Sequence, residues 1–256
     1  MESVKINKID TNASEDELSQ AVFLLHHDDG MLRMERDNRN MKNIMDDVLT
    51  SDSNCIDVGA HAGEVLDWIV QRAPVGSHYA FEPLPRFIPQ LKTRFPGVKV
   101  YQCALSNSAG ISKFCHFVNI PGWSGLRPQP CPIEPVAEEI EVEVNLMDDI
   151  IPQQLQIRLI KIDVEGGEYG VIDGAKKTVR RCKPYIIFEH AKVHAFGYGT
   201  TPQMLYDLIV EDCGLAVFSL DGNGPHSKNT FVSRYEEAFI TRYKRHTETN
   251  FLARPI

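Results

Sequence analysis

The chain has 256 residues, of which 43% are hydrophobic and 24% are charged, a composition typical of an ordinary soluble globular protein. Its formal net charge of −8 excludes a general binder of nucleic acids or of anionic membranes, because such binders need a basic surface. No apolar stretch approaches the roughly 18 residues of a membrane span and no secretory signal is visible, so we expect a cytoplasmic protein without a membrane partner.

The first fifty residues have a mixed pattern, in which two helices are predicted. Ser14 followed three residues later by Glu17 is a capping box, which predicts a helix over 18–25. Apolar residues at helical spacing predict a second helix over 40–49.

From residue 55 the pattern alternates between short apolar strands and amphipathic helices. The predicted strands are 55–58, 78–81 and 98–103, and the predicted helices between them are about 63–72 and 86–95. Two consecutive βαβ units of this kind imply a parallel sheet with right-handed crossovers. The fold class is therefore predicted to be α/β.

The first strand of this series ends in a glycine-containing turn, Asp57-Val-Gly-Ala-His-Ala-Gly63. Glycine lets the backbone approach a ligand closely, and the helix that follows presents free N–H groups. Glu82, at the tip of the neighbouring strand, has the position of an acid that binds the hydroxyls of a ribose. A nucleoside-containing cofactor is therefore predicted here, with the candidate contacts Asp57, Gly59, Ala60, His61, Gly63 and Glu82.

The glycine spacing also indicates which cofactor binds. A dinucleotide needs the crowded Gly-x-Gly-x-x-Gly turn around its pyrophosphate, and this chain lacks that pattern. S-adenosylmethionine carries no phosphate and tolerates a looser turn, so we predict S-adenosylmethionine.

Residues 111–146 interrupt the alternation and are predicted to form a β insertion. Lys113–Val118 and an alternating segment over 140–146 have the patterns of strands, and a proline-rich loop over 121–135 joins them. Within this loop, Trp123 and Ser124 have the composition of a lid over a substrate, although a crossing loop with a buried Trp explains them equally well.

The parallel pattern then resumes and closes with a predicted antiparallel hairpin. The predicted elements are a strand over 159–164, a helix over about 168–181, a strand over 184–188, a helix from 202, and hairpin strands over 215–220 and 238–240.

Acidic residues follow two of the later strands. Lys161, Asp163 and Glu165 share one face of their strand. Two acids at the end of a buried strand lose hydration, and this cost in free energy indicates that they have a function. Their spacing suits a general base together with a group that orients the substrate. Glu189, at the end of the next strand, is a candidate substrate contact, and His190 beside it is a candidate proton carrier.

A metal site at this position is a weaker interpretation. His190 and His194 are four residues apart and adjoin Glu189, but the segment is not a His-Glu-x-x-His helix. We therefore predict no metal.

Several motifs occur in an order that resembles the FkbM-type family of S-adenosylmethionine-dependent methyltransferases. They are Asp57-Val-Gly-Ala-His-Ala-Gly63, Phe81-Glu82-Pro83, Ala104-Leu105-Ser106, Ile162-Asp-Val-Glu-Gly-Gly-Glu168 and Phe188-Glu189. The resemblance implies a Rossmann-like class I methyltransferase fold over 52–256, preceded by a helical extension over 1–51. It also implies O-methylation of a hydroxyl on a sugar, a polyketide or a similar small metabolite, with Ala104, Leu105 and Asp163 among the cofactor contacts.

We therefore expect an O-methyltransferase in which Glu165 or His190 accepts the hydroxyl proton and Asp163 assists. A scaffold that binds S-adenosylmethionine without turnover is the main alternative, and the acids at 163, 165 and 189 argue against it. A nicotinamide-dependent oxidoreductase is disfavoured by the glycine spacing. Methylation of a flipped nucleic-acid base would bring an Asn/Asp-Pro-Pro-aromatic turn, which the chain lacks, so the expected partner is a small molecule with a hydroxyl.

Overall fold

A computed structural model describes residues 28–131, 134–240 and 247–256. Its strands, in chain order, are β1 (Cys55–Val58), β2 (Tyr79–Phe81), β3 (Lys99–Tyr101), β4 (Ala104–Leu105), β5 (Gly110–Phe117), β6 (Ala137–Asn145), β7 (Leu159–Ile162), β8 (Tyr185–Glu189), β9 (Ala216–Ser219) and β10 (Asn250–Arg254). Its α-helices are α1 (Asp28–Val48), α2 (Glu64–Arg72), α3 (Ile88–Arg94), α4 (Met147–Ile150), α5 (Glu168–Asp173), α6 (Lys176–Cys182), α7 (Lys192–Ala195), α8 (Pro202–Asp207) and α9 (Lys228–Ile240).

Seven of the described strands form the main sheet, in the order β3-β2-β1-β7-β8-β10-β9. The pairs from β3 to β8 are parallel, and β10 runs antiparallel to both of its neighbours. The predicted α/β fold with a mostly parallel sheet and an antiparallel C-terminal part is confirmed.

Helices cover both faces of this sheet because its central strands are apolar on both sides. Cys55 and Leu159 pack in one cluster with residues of α1 and α2, including Met45. Ile56 and Ile160, each one residue further along, pack on the opposite face with residues of α5 and α6. Successive side chains of a strand point to opposite faces, so both helical layers are fixed by the same short strands.

The β insertion is confirmed: its two predicted strands are present and, together with β4, form a separate three-stranded sheet in the order β4-β6-β5. Strands β5 and β6 pair antiparallel, and β4 adds parallel to β6. The loop after β5 is tied back to that strand, because the backbone N–H groups of Cys115 and Gly125 donate to each other's carbonyl oxygens at 2.9 and 3.2 Å. This tie brings Trp123 and its neighbours toward the main sheet.

The prediction of a strand over 238–240 is wrong. These residues end helix α9, in which Phe231, Tyr235 and Ala238 are buried at helical spacing. The partner of β9 is instead β10, whose sequence Asn-Phe-Leu-Ala-Arg has only three apolar residues between polar ones. The run at 238–240 continued a helical period, and a three-residue run is too short to distinguish the two cases from sequence.

Other boundaries also differ from those predicted. The helix over 168–181 is two helices, α5 and α6, and a Cβ on Gly174 between them would lie 2.1 Å from the carbonyl oxygen of Ser106. The strand over 98–103 is shorter, and β4 follows it separately. The helix over 40–49 is the second half of α1, whereas the capping box and the helix over 18–25 lie outside the described residues. None of the described helices is long and apolar enough to cross a bilayer.

Candidate active site

A cavity of about 480 Å³ opens at the carboxyl ends of β1, β2, β7 and β8. This is the edge at which open α/β sheets bind ligands. Most of the candidate site residues line it, namely Gly59, Ala60, His61, Glu82, Ala104, Leu105, Trp123, Ser124, Asp163, Glu165 and Glu189. Three candidates, Asp57, Gly63 and His190, are not among the lining residues.

The glycine turn after β1 and the side chain of Glu82 form one end of the cavity. We call this the glycine-turn end. Gly59 has φ +79°, and a Cβ there would lie 1.9 Å from the carbonyl oxygen of Asp163. The N–H groups of Gly59 and Ala60 both donate to the carbonyl of Phe81, at 2.9 and 3.1 Å. The turn is thus pressed between two neighbouring strand ends, which only a glycine at 59 permits.

Gly63 has a role in packing that the sequence did not predict. It has φ +82°, and a Cβ there would lie 2.6 Å from the ring of Phe95 and 2.9 Å from Leu91. Both of these residues belong to the packing of α3 against α2. A side chain at 63 would therefore clash with this packing, and the cofactor contact expected of Gly63 stays a prediction.

Glu82 is fixed in the cavity wall by two backbone groups. Its Oε2 accepts from the N–H of His61 and its Oε1 from the N–H of Leu84, both at 2.8 Å. The side chain is nearly buried, and this burial raises the pKa of Glu82 despite the two hydrogen bonds. Each carboxylate oxygen keeps a further lone pair, so the group can accept a pair of hydroxyl donors.

Lys161 links the glycine-turn end to the acids beyond it. Its Nζ lies 3.3 Å from Asp163 Oδ2, 3.8 Å from Asp57 Oδ1 and 3.3 Å from the carbonyl oxygen of Gly59, to which it donates. Burial alone would lower the pKa of Lys161, but the two acids outweigh it and raise that pKa. Asp57 is fully buried, and Lys161 is its ion-pair partner, so the cofactor contact expected of Asp57 stays a prediction.

The loop that follows β7 has an unusual backbone. Glu165 has φ +58° and Gly166 has φ +100°, and a Cβ on Gly166 would lie 2.1 Å from the carbonyl oxygen of His194. A non-glycine residue in the left-handed region costs about 1 kcal/mol. The buried carboxylate of Glu168 compensates, because its Oε1 accepts from the N–H groups of Val164 and Gly166 at 3.2 and 3.1 Å. The loop is thus held in a strained form that places Glu165 in the cavity wall.

Glu165 is bound by two side chains from distant parts of the chain. His194 Nδ1 lies 2.7 Å from Glu165 Oε2, and Gln129 Nε2 donates to the same oxygen at 2.8 Å. Gln129 Oε1 in turn lies 2.6 Å from His194 Nδ1. Burial alone would lower the pKa of His194, but the carboxylates of Glu165 and Glu189 raise it to about 10. His194 is therefore an imidazolium that forms an ion pair with Glu165.

Asp163, Glu165, Glu189 and His194 form the other end of the cavity. We call this the acidic end. Burial raises the pKa of Glu189 to about 8, although His194 opposes it. Burial alone would also raise the pKa of Asp163, but Lys161, His194 and Glu189 together outweigh burial and lower that pKa. A protonated Glu189 beside a charged Asp163 is therefore the stable arrangement near neutral pH.

The insertion loop covers the acidic end. The Trp123 ring lies 5.3 Å from the His194 ring between centroids, and the Trp123 carbonyl accepts from Gln129 at 2.8 Å. Ser124 also lines the cavity, but its Oγ accepts from the N–H of Phe117 at 3.0 Å. Ser124 therefore holds the loop, whereas Trp123 contributes an apolar wall.

His190 is not brought to the cavity. Its ring stacks on Tyr235 at 4.7 Å and on Phe231 at 5.9 Å, and the residue is 2% exposed. Burial lowers the pKa of His190 to about 3, so the ring is neutral. His194, four residues later, occupies the position expected of His190, because the chain turns into α7 directly after β8.

The acidic end also has the geometry of a cation site. One ligand atom from each of Glu165, Glu189 and His194 lies within 4.8 Å of the others. These oxygen and nitrogen donors suit a divalent cation. In the structure, however, His194 Nδ1 already bonds Glu165 and Gln129, so the groups satisfy one another. The absence of a metal stays a prediction.

Taken together, the fold and the cavity define a class of protein. A parallel sheet with one antiparallel strand inserted before the last, a glycine turn after the first strand and an acid at the tip of the second are the features of class I S-adenosylmethionine-dependent methyltransferases. A family profile described as the Methyltransferase FkbM domain matches residues 57–215. The chain belongs to this family, and its cofactor is S-adenosylmethionine.

Two curated relatives support the same family. The methyltransferase sdnD of Sordaria araneosa is 29% identical, over 49% of this chain and 61% of the relative. Methyltransferase 1 of Beauveria bassiana is 26% identical, over 48% of this chain and 58% of the relative. The match therefore spans about three fifths of the length of these relatives.

Solved structures of methyltransferases are also similar. The FkbM methyltransferase of Methylobacillus flagellatus KT has a TM-score of 0.49 at 16% identity, covering 80% of this chain and 44% of that one. A TehB-like S-adenosylmethionine-dependent methyltransferase of Corynebacterium glutamicum has a TM-score of 0.43 at 11% identity, covering 84% and 85%.

Proposed function

We propose that this protein is an S-adenosylmethionine-dependent O-methyltransferase that acts on a hydroxyl of a small molecule. The strongest support is that one cavity contains both the glycine-turn end and the acidic end. The glycine-turn end has the groups that a nucleoside needs, and the acidic end has a carboxylate held in a strained loop by an imidazolium. We also propose that the protein has no nucleic-acid partner, because its net charge is −8. We further propose that it is cytoplasmic, and its free cysteines support this.

Each part of the cofactor has suitable residues in the cavity. Glu82 would accept from the two ribose hydroxyls, and Ala104 and Leu105 would contact the adenine. The methionine end would lie at Gly59, Ala60, His61 and Asp163, near Lys161. Bound in this way, S-adenosylmethionine supplies an electrophilic methyl group on a sulfonium. The chain's own task is to align the acceptor with that methyl and to remove its proton.

Glu165 is the proposed proton acceptor. Transfer of a methyl to an alcohol forms an O–C bond and breaks a C–S bond, and the hydroxyl proton must leave in the same process. His194 and Gln129 hold one oxygen of Glu165, which fixes the carboxylate in the cavity wall. Asp163 and Glu189 would orient the acceptor, and Trp123 would exclude water above it.

A scaffold that binds S-adenosylmethionine without turnover is the second candidate. It would need the glycine-turn end but not the acidic end. Placing the half-buried Glu165 and Glu189 beside the buried His194 is costly unless the groups are used, because charged and polar groups lose hydration there. The acidic end therefore favours the enzyme.

Calorimetric titration with S-adenosylmethionine and with NAD tests the cofactor assignment. We expect saturable binding of S-adenosylmethionine and none of NAD, and the reverse would overturn it. Transfer of labelled methyl from S-adenosylmethionine to a panel of hydroxyl compounds then tests the reaction. Cofactor binding with no transfer to any member, together with an unchanged cofactor affinity in Glu165→Ala, would support the scaffold.

A further inference from the structure

Helix α1 overhangs the cavity with exposed apolar side chains. Met31 and Met34 are 57% and 56% exposed, and both line the cavity. They lie three residues apart and so share one face of the helix. Leu32, between them, is 46% exposed but is not among the lining residues.

The same face of α1 is anchored further along the helix. Met41 and Met45 are buried in a cluster with Trp68 of α2, so the second half of the helix is packed against the domain. Its first turns precede this contact, and Gly30, Met31, Arg33 and Met34 of these turns line the cavity. Met31 and Met34 are therefore positioned by a packed helix, although they themselves are not covered.

An apolar wall connects these methionines with the acidic end. Met41, Val65 and Trp68 line the cavity on the side of α1 and α2, and Trp123 and Leu126 line it on the side of the insertion. Asp37, which also lines this part, is already bound to Arg36 at 2.8 Å and to Asn250 at 3.2 Å. Arg33, Asn38 and Glu64 also line this side of the cavity, among five apolar side chains, Met31, Met34, Met41, Val65 and Trp68. These apolar side chains would contact an apolar skeleton over more of its surface than that of a free sugar, whose hydroxyls need several polar partners.

From this arrangement we propose that Met31 and Met34 form a subsite for the carbon skeleton of the acceptor. The acceptor hydroxyl would be carried by an extended apolar molecule, such as a polycyclic or long-chain alcohol, and not by a free sugar. Methionine suits this task because its unbranched, polarizable side chain adapts to irregular apolar shapes. Apolar groups exposed at the mouth of a cavity are typical of a ligand site. This inference rests on the proposed function and names its substrate class.

The test uses the full chain saturated with S-adenosylhomocysteine and two probes that both carry hydroxyls. Decahydro-2-naphthol is a bicyclic apolar alcohol, and methyl glucoside is a polar polyol of similar size. Calorimetry should show that decahydro-2-naphthol binds at least about tenfold more tightly than methyl glucoside. The double variant Met31→Gln/Met34→Gln should weaken that binding about fivefold or more, whereas the matched control Leu32→Gln should change it less than about twofold.

Several outcomes would overturn the proposal. These are tighter binding of methyl glucoside, no binding of decahydro-2-naphthol, or equal effects of the double variant and of Leu32→Gln. A double variant that changes the oligomeric state in light scattering, at unchanged probe affinity, would show that a second copy covers the methionines. All variants should bind S-adenosylhomocysteine with unchanged affinity. If the unmodified protein does not bind S-adenosylhomocysteine, the proposed function is refuted, and not this inference alone.

Discussion

The two ends of the cavity are built in different ways. At the glycine-turn end, backbone N–H groups hold the one carboxylate, Glu82, and a glycine makes the close approach. At the acidic end, Glu165 on a strained loop after β7 is held by His194 of α7 and by Gln129 of the insertion loop. The first end is therefore set by local chain geometry, whereas the second depends on long-range contacts and on protonation.

If the two ends of the cavity have separate roles, Glu165→Gln should have the largest effect on turnover. This substitution keeps the shape of the side chain and removes the proton acceptor, so turnover should fall roughly a hundredfold or more. The affinity for S-adenosylmethionine should change little, because Glu82 and the glycine turn are untouched. Initial rates with an acceptor from the hydroxyl panel, together with calorimetry, measure the two quantities. A matching loss of cofactor affinity would mean that the two ends are not separate.

Glu82→Ala should have the opposite signature. The variant loses charge-assisted hydrogen bonds to the ribose, so cofactor binding should weaken by about 1.5–3 kcal/mol. Calorimetry with S-adenosylmethionine measures this change, and turnover at saturating cofactor should be reduced far less than in Glu165→Gln. A dissociation constant equal to that of the unmodified protein would remove Glu82 from the cofactor site.

Stability should depend on pH through the acidic end. The pKa of Glu189 is raised to about 8 and that of His194 to about 10, so the folded chain keeps protons that the unfolded chain releases. The contribution of His194 is complete below its unfolded pKa and is lost as pH rises through about 10. The free energy of unfolding should therefore fall between about pH 7 and pH 9, by roughly 1 kcal/mol or more.

Urea denaturation at both pH values measures this slope. Glu189→Gln should flatten it, whereas Glu139→Gln, an exposed partner of Lys113 in the insertion, should leave it unchanged. An equal slope in the unmodified protein and in Glu189→Gln would show that Glu189 does not hold a proton in the folded state.

The smallest effect is expected for His190→Phe. The ring already stacks between aromatic residues outside the cavity, and its nitrogens have no hydrogen-bond partner among the described residues. Turnover should be unchanged, and the free energy of unfolding should shift by less than about 1.5 kcal/mol. Rates and urea midpoints check both. A large loss of turnover at normal stability would return His190 to the chemistry and contradict its placement.

The contrast between the two ends of the cavity also explains which parts of the fold and of the site could be predicted from the sequence. The glycine turn, Glu82 and the parallel order β3-β2-β1 follow from local patterns, because each depends on residues close together in the chain or on consecutive βαβ units. Gln129 could not be predicted, since it lies in the proline-rich loop, 36 residues from Glu165, and only the folded insertion brings them together.

Two other differences have a similar cause. His190 and His194 are both near the end of β8, and which of them faces the cavity depends on how the chain turns into α7. The roles of Asp57 and Gly63 depended on what lies behind them, a lysine and an aromatic ring, which the spacing of the motif does not reveal.

The position of β10 has a consequence for the order in which the chain folds. This strand, the last of the described strands in chain order, lies between β8 and β9, which do not pair with each other. During synthesis, both strands would have an open edge until residues 250–254 leave the ribosome, and open edges invite pairing with other chains. Thr249 and Asn250 also line the cavity. Two of the seven strands, β9 and β10, and this part of the cavity wall thus stay unfinished until residues 249–254 emerge.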